Sequence, residues 1–247
     1  MVREIGLPSP PMKESLPRIP EPFASNIMYY AQYDVLSRLS AGKAWKFAEI
    51  RPDGISGFVP SNNAMNLAQA LALLLAFYAD HEGKGANVPY PGPLAAYEAK
   101  HSDVSQDLLA RFHLFTSLDP SIKSGEAYNI ADESLGTSWA AKWPALASYF
   151  GLKTTAPKPD EEVAFNIDEY MQNHKLEWAE WVEREGLKKG AIEGTDFGFL
   201  GAMLGMAVFG REYDMGKARK LGWEEESDSV KGYLDAFEMM KAAHIIP

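Results

Sequence analysis

Apolar and polar positions along the chain alternate with a helical period over most of its length, with only two short strand-like runs. Residues 1–25 are proline-rich and almost without periodicity. They predict an extended arm, because proline fixes φ and removes a backbone donor. Asn26 stands where it can cap a helix over residues 27–40, which Ala41-Gly42 would end. Trp45 to Ile50 reads as a short buried strand closed by the turn-like Arg51-Pro52-Asp53-Gly54. A long helix follows over residues 64–80, the most apolar stretch of the chain, and then a Gly/Pro-rich loop over 81–92. Asp103 is placed to cap a helix reaching residue 117, and residues 126–130 read as the second strand. Ser138 begins a helix through Phe150, with Trp139, Trp143 and Phe150 at near-helical spacing. Residues 153–162 form a polar loop, and helices are predicted over 166–185, 196–209 and 229–243.

Two strands some 75 residues apart do not make a stable sheet alone, yet both look buried on two faces, as a parallel sheet requires. Either they pair with each other or another chain supplies partners. The arm (1–25) is followed by one domain, residues 26–247.

Composition narrows the function. The formal net charge is -10, without a Lys/Arg tract, which argues against nucleic acid as a partner. The absence of cysteine excludes disulfides and a zinc-thiolate site, and His101 and His113, twelve residues apart, have no partner at metal-ligand spacing, so no metal is expected. The apolar helix is too short to span a bilayer and contains Asn66 and Gln69, so no membrane is expected, and the lack of cysteine fits a reducing cytoplasm. Trp178 and Trp181 are expected as packing anchors, and His113, among Phe112, Leu114 and Phe115, as a core histidine.

Several stretches carry a resemblance. Asn26-Ile27-Met28-Tyr29-Tyr30 followed by Asp34, then Arg51-Pro52-Asp53-Gly54-Ile55-Ser56-Gly57-Phe58, then Asn63-Ala64-Met65-Asn66-Leu67 occur in order. Pro89-Tyr90-Pro91-Gly92, Ala95-Ala96-Tyr97, His101-Ser102-Asp103, Tyr128-Asn129-Ile130-Ala131-Asp132 and Trp139 to Trp143 follow, and the ending from Lys217 through Gly222-Trp223 to Ile245-Ile246-Pro247 fits as well. Together they resemble the progesterone 5β-reductase and iridoid synthase-like family of extended short-chain dehydrogenases, in particular its fungal members. The resemblance implies a predominantly α-helical α/β remnant, the C-terminal substrate-binding half of an extended short-chain dehydrogenase, with a residual short parallel sheet. It also implies that the N-terminal nucleotide-binding half, on the order of 150 residues, is missing. No glycine-rich phosphate loop follows a strand here, and the glycines from Gly194 to Gly205 fit close helix packing better.

The family's tyrosine at this helix start gives a proton or hydrogen bond to a substrate oxygen, and the resemblance places Tyr30 there as the catalytic candidate. Where ordinary short-chain dehydrogenases have a lysine four residues later, this chain has Asp34, which would raise the pKa of a nearby tyrosine and keep it a neutral donor. Packing in the core is the competing role for Tyr30. Tyr29, Met65, Asn66, His101, Phe197 and Met203 are the candidates for substrate binding; packing, capping or loop support competes at each.

Three functions remain. The leading expectation is an enzyme without a cofactor that folds an apolar enone or polyene for cyclisation or isomerisation, including pericyclic chemistry. The alternatives are an NADPH-dependent enone or ketone reductase and a non-catalytic interaction protein. All three predict a homodimer, because helix faces that would cover a larger sheet are otherwise left exposed.

Overall fold

The computed structural model describes residues 9–61, 63–160, 163 and 165–247. In chain order it has α1 (Met28–Ser40), β1 (Ala48–Arg51), β2 (Ile55–Ser56), α2 (Leu67–His81), β3 (Asn87–Pro89), α3 (Leu94–Glu98), β4 (Lys100–His101), β5 (Val104–Ser105) and α4 (Gln106–Leu118). Then come β6 (Glu126–Asn129), β7 (Thr137–Ser138), α5 (Trp139–Tyr149), β8 (Lys153–Thr155), α6 (Ile167–Asn173), α7 (Lys175–Arg184), α8 (Phe197–Gly205), α9 (Gly216–Lys220) and α10 (Ser229–Ala242).

Helix α2 is apolar on every side, and a helix of that kind is stable only when surrounded. Every residue from Leu67 to Tyr78 is buried, under α7, α8 and α10. Trp181 on α7 packs its ring 5.7 Å from that of Phe77, and both it and Trp178 are buried anchors as expected.

The two expected strands pair with each other. β1 and β6 run parallel, with Ala48 opposite Glu126 and Arg51 opposite Asn129. Leu108 and Phe112 of α4 and Ala218 of α9 join Tyr128 and Trp223 in a second apolar cluster around this ribbon. β2–β5 and β3–β8 are further parallel pairs, and β4–β7 is antiparallel. Helices with short parallel sheets are thus the observed architecture.

Local readings fail at identifiable places. The predicted helix over 166–185 breaks at His174, whose ring Nδ1 lies 2.8 Å from the Tyr170 carbonyl while its backbone leaves helical geometry. The loops predicted over 81–92 and 153–162 contain β3 and β8, which pair across the chain. Asp103 caps no helix, and α8 ends at Gly205, short of residue 209. The arm is tethered, with the Met12 N–H donating to the Glu212 carbonyl and the Asp214 N–H to that of Met12. Its Ile5 and Leu7 lie outside the described residues.

Candidate functional site

A cleft of about 680 Å³ opens at the carboxyl ends of β1 and β6. Ligands of open parallel sheets bind in that position, because strand-to-helix loops converge there. The arm contributes Leu16 and Arg18, the start of α1 Tyr29 and Tyr30, and the loop after β1 Pro52 and Asp53. His113 of α4, Asn129 of β6 and Tyr213 complete the wall.

Tyr30 is half-buried, and its hydroxyl oxygen accepts the Ile19 N–H at 2.9 Å. A phenol in that position still has its proton to give, and the accepted bond polarises the O–H. Arg18 lies 4.8 Å from the centre of the Tyr30 ring and reaches Asp34 through two hydrogen bonds of 2.6 and 2.9 Å. Asp34 was expected to act on Tyr30. Its carboxylate is instead engaged by Arg18, whose hydrogen bond holds Asp34 below the usual carboxylate range.

Behind the cleft wall is a buried polar cluster. Lys142 of α5 is fully buried; it donates to Asp103 Oδ2 at 2.5 Å, contacts His101 Nε2, and lies 4.2 Å from the Trp139 ring centre. Tyr233 of α10 donates to the same Asp103 oxygen at 3.0 Å. Burial pushes the Asp103 carboxyl up, but Lys142, His101 and the hydrogen bonds it accepts outweigh this and hold it below its ordinary value. Burial lowers the Lys142 ammonium, with Asp103 acting against that. His101 is pushed down to about 4, by burial first and Lys142 second. It is therefore neutral near pH 7. Its Nδ1 lies 3.2 Å from the Ala99 carbonyl, which fixes the N–H there and leaves Nε2 to accept from Lys142.

The expected site residues do not converge. Tyr29 and Tyr30 share the cleft. Met65 is 62% exposed and lies away from it, because it precedes the first turn of α2. Asn66 accepts the Gln69 N–H at 3.0 Å and donates to the Gly57 carbonyl at 3.2 Å, so it caps α2. His101 is sequestered with Lys142. Phe197 lines a separate recess with Gly92 and Phe165, and Met203 packs against the core of α2. His113 was expected in the core and is exposed at the cleft, since Phe112 takes the buried face of α4. Asp53 and Tyr213 were missed. Asp53 has only the local pattern of a turn residue in Arg51-Pro52-Asp53-Gly54, and nothing local marks Tyr213.

Residues 7–247 match the family model described as a PRISE-like Rossmann-fold domain. The chain belongs to this family. Among relatives of this PRISE-like chain, the "Short chain dehydrogenase sirQ" of Leptosphaeria maculans is 34% identical over 96% of this chain and 59% of the relative. The "Short chain dehydrogenase ausT" of Aspergillus calidoustus is 35% identical over 96% and 57%. The "(S)-8-oxocitronellyl enol synthase ISY1" of Nepeta racemosa is 28% identical over 96% and 58%. The chain thus spans a little under three-fifths of the length of these relatives.

This membership corrects the expectation of a protein without a cofactor. The family is a Rossmann-fold one and its relatives are named as short-chain dehydrogenases, a fold built around a dinucleotide. The described residues of this PRISE-like chain do not themselves fit the phosphate end of such a cofactor. The glycines of α8 lie inside a helix, and no glycine-rich turn joins a strand to a helix N-terminus among the described residues. What they build is the cleft beside Tyr30. Among those residues no group of His, Cys, Asp and Glu is arranged to hold a metal, and no helix is long and apolar enough to cross a membrane.

Proposed function

We propose that this chain is the substrate-binding half of an NADPH-dependent short-chain dehydrogenase-type enzyme that acts on an apolar enone or ketone in secondary metabolism. The observation that carries this is Tyr30, a half-buried phenol at the mouth of the parallel strands whose oxygen accepts the Ile19 N–H. Reduction of a conjugated carbonyl builds negative charge on its oxygen, and a fixed O–H donor stabilises that charge more than it stabilises the substrate. Leu16, Pro17, Ile27 and Ile55 give the cleft its apolar lining. A nicotinamide, when bound, would supply the hydride. The part of these residues is to hold the carbonyl and supply the hydrogen bond.

Cyclisation or isomerisation of the enolate so formed is the second reading. The relative named as an enol synthase favours it.

Benzylideneacetone carrying ¹³C at the carbonyl tests the assignment. Binding to the wild-type protein is expected to move the carbonyl resonance downfield, as donation to the oxygen requires. Tyr30→Phe is expected to bind the probe without that displacement, and to slow turnover by about 10²-fold where a reaction is followed. An identical carbonyl resonance in both proteins, or no binding to the wild type, would overturn the reading.

A further inference from the structure

Besides Tyr30, the cleft wall holds the carboxylate of Asp53. Asp53 stands two residues past the end of β1, and its side chain is only 16% exposed. Its two oxygens share the Arg211 Nε–H at 3.1 and 3.3 Å, both long for a charge-assisted bond. A carboxylate offers about four lone-pair positions, so these contacts leave part of its capacity open. A half-dehydrated carboxylate with unfilled positions carries a desolvation cost, which a donor in the cleft relieves. The other carboxylate of the cleft, Glu49, is taken up by Arg51 at 2.6 Å.

The position of Asp53 is fixed from behind. The Arg211 N–H donates to the Lys100 carbonyl at 2.8 Å, and the Tyr213 N–H to Ser102 Oγ at 2.9 Å. The next residue, Gly54, accepts the Val104 N–H at 2.8 Å, and a Cβ there would lie 2.6 Å from Asp103 Oδ1. The Asp53 loop is therefore seated on the segment that Lys142 locks in place. This is the arrangement of a rigid recognition group, held by packing rather than by a mobile loop.

We propose that Asp53 is the specificity-determining residue of the cleft, accepting a hydrogen bond from a hydroxyl or amide N–H that the substrate carries apart from the carbonyl held by Tyr30. Arg211 balances the charge of Asp53, so the preferred donor is neutral rather than an ammonium. The substrate class narrows to an apolar enone or ketone bearing a hydroxyl or amide N–H. This rests on the enone-binding reading.

Two probes test it: benzylideneacetone and its para-hydroxy derivative, titrated by NMR at a pH where the phenol is neutral. The wild-type protein is expected to bind the hydroxylated probe about tenfold more tightly, the worth of a hydrogen bond to a charged group. Asp53→Ala is expected to abolish this preference and leave the parent probe within about twofold. Asp53→Asn, which keeps an acceptor oxygen, restores part of the preference. Because Asp53→Ala leaves Arg211 unpaired, the double variant Asp53→Ala/Arg211→Met serves as a second carrier of the test, with the same loss expected. Equal affinities in the wild type, or a preference that survives in both variants, would overturn the role of Asp53. If both probes bind with a Tyr30-dependent carbonyl displacement but without preference, only this inference falls. If neither binds, the enone reading falls with it.

Discussion

His101 shows how position sets the chemistry of a residue. In sequence it is one of five histidines, next to Ser102 and Asp103. In the folded chain it is buried beside Lys142 and pushed down to about 4, so it stays neutral where an unfolded histidine, near 6.5, takes up a proton. The unfolded state therefore binds more protons between these two values, and stability rises with pH across that window. Its contribution is complete above about pH 6.5 and is lost as the pH falls toward about 4, a change of about 3 kcal/mol at most. Urea unfolding at pH 7 and at pH 4.5 measures this loss. A His101→Gln variant is expected to show a flatter pH dependence in the same window. Equal slopes for the two proteins would assign the acid sensitivity elsewhere. His101 and Asp103 were visible in the sequence as a motif, but Lys142 and Tyr233 stand 39 and 130 residues from Asp103. The sequence alone therefore suggested substrate binding or loop support for His101 and a helix cap for Asp103.

Helix α2 is the element whose fate was clearest from the chain. A run apolar around its whole circumference cannot face water on any side, and every residue from Leu67 to Tyr78 is buried. Leu74 has no exposed surface. Leu74→Ala is expected to cost about 2–5 kcal/mol, because the packed helices around it close only partly over the cavity. Asn66→Ala removes one cap bond at the same helix and is expected to cost about 1 kcal/mol. Chemical denaturation of both variants checks the ratio. A larger loss for Asn66→Ala would show that its bond to the Gly57 carbonyl outweighs the cap. Helix α1 was equally legible as a helix, but its surroundings were not. None of its thirteen residues is buried, and Val35, Leu36 and Leu39 are exposed.

That exposed face carries the expectation of self-association at the scale of the whole molecule. Met28, Val35, Leu36 and Leu39 of α1, with Trp45 beyond its end, are exposed apolar side chains of the kind that mark an interaction surface when they are contiguous. Light scattering at micromolar concentration is expected to give twice the mass of the chain, and Leu36→Glu/Leu39→Glu to return it to the single mass. A wild-type protein of single mass would overturn the expected homodimer. The family itself was recognisable from ordered motifs spread along the chain, and the match over residues 7–247 bears that out. The cofactor expectation failed because it rested on what these residues lack, whereas the family as a whole is built on a Rossmann fold.

The sequence by itself determined the helical character of the chain, the burial of α2, the two strands and the family. These follow from periodicity, capping and motif order, which act between residues close along the chain or preserved in sequence. Only the tertiary structure decided that β1 pairs with β6, that Asn66 caps and Met65 faces solvent, and that His113 reaches the cleft. It alone joined Arg18 to Asp34 and, across 158 residues, Arg211 to Asp53. Such contacts depend on which faces meet when the chain closes, and no local pattern records that.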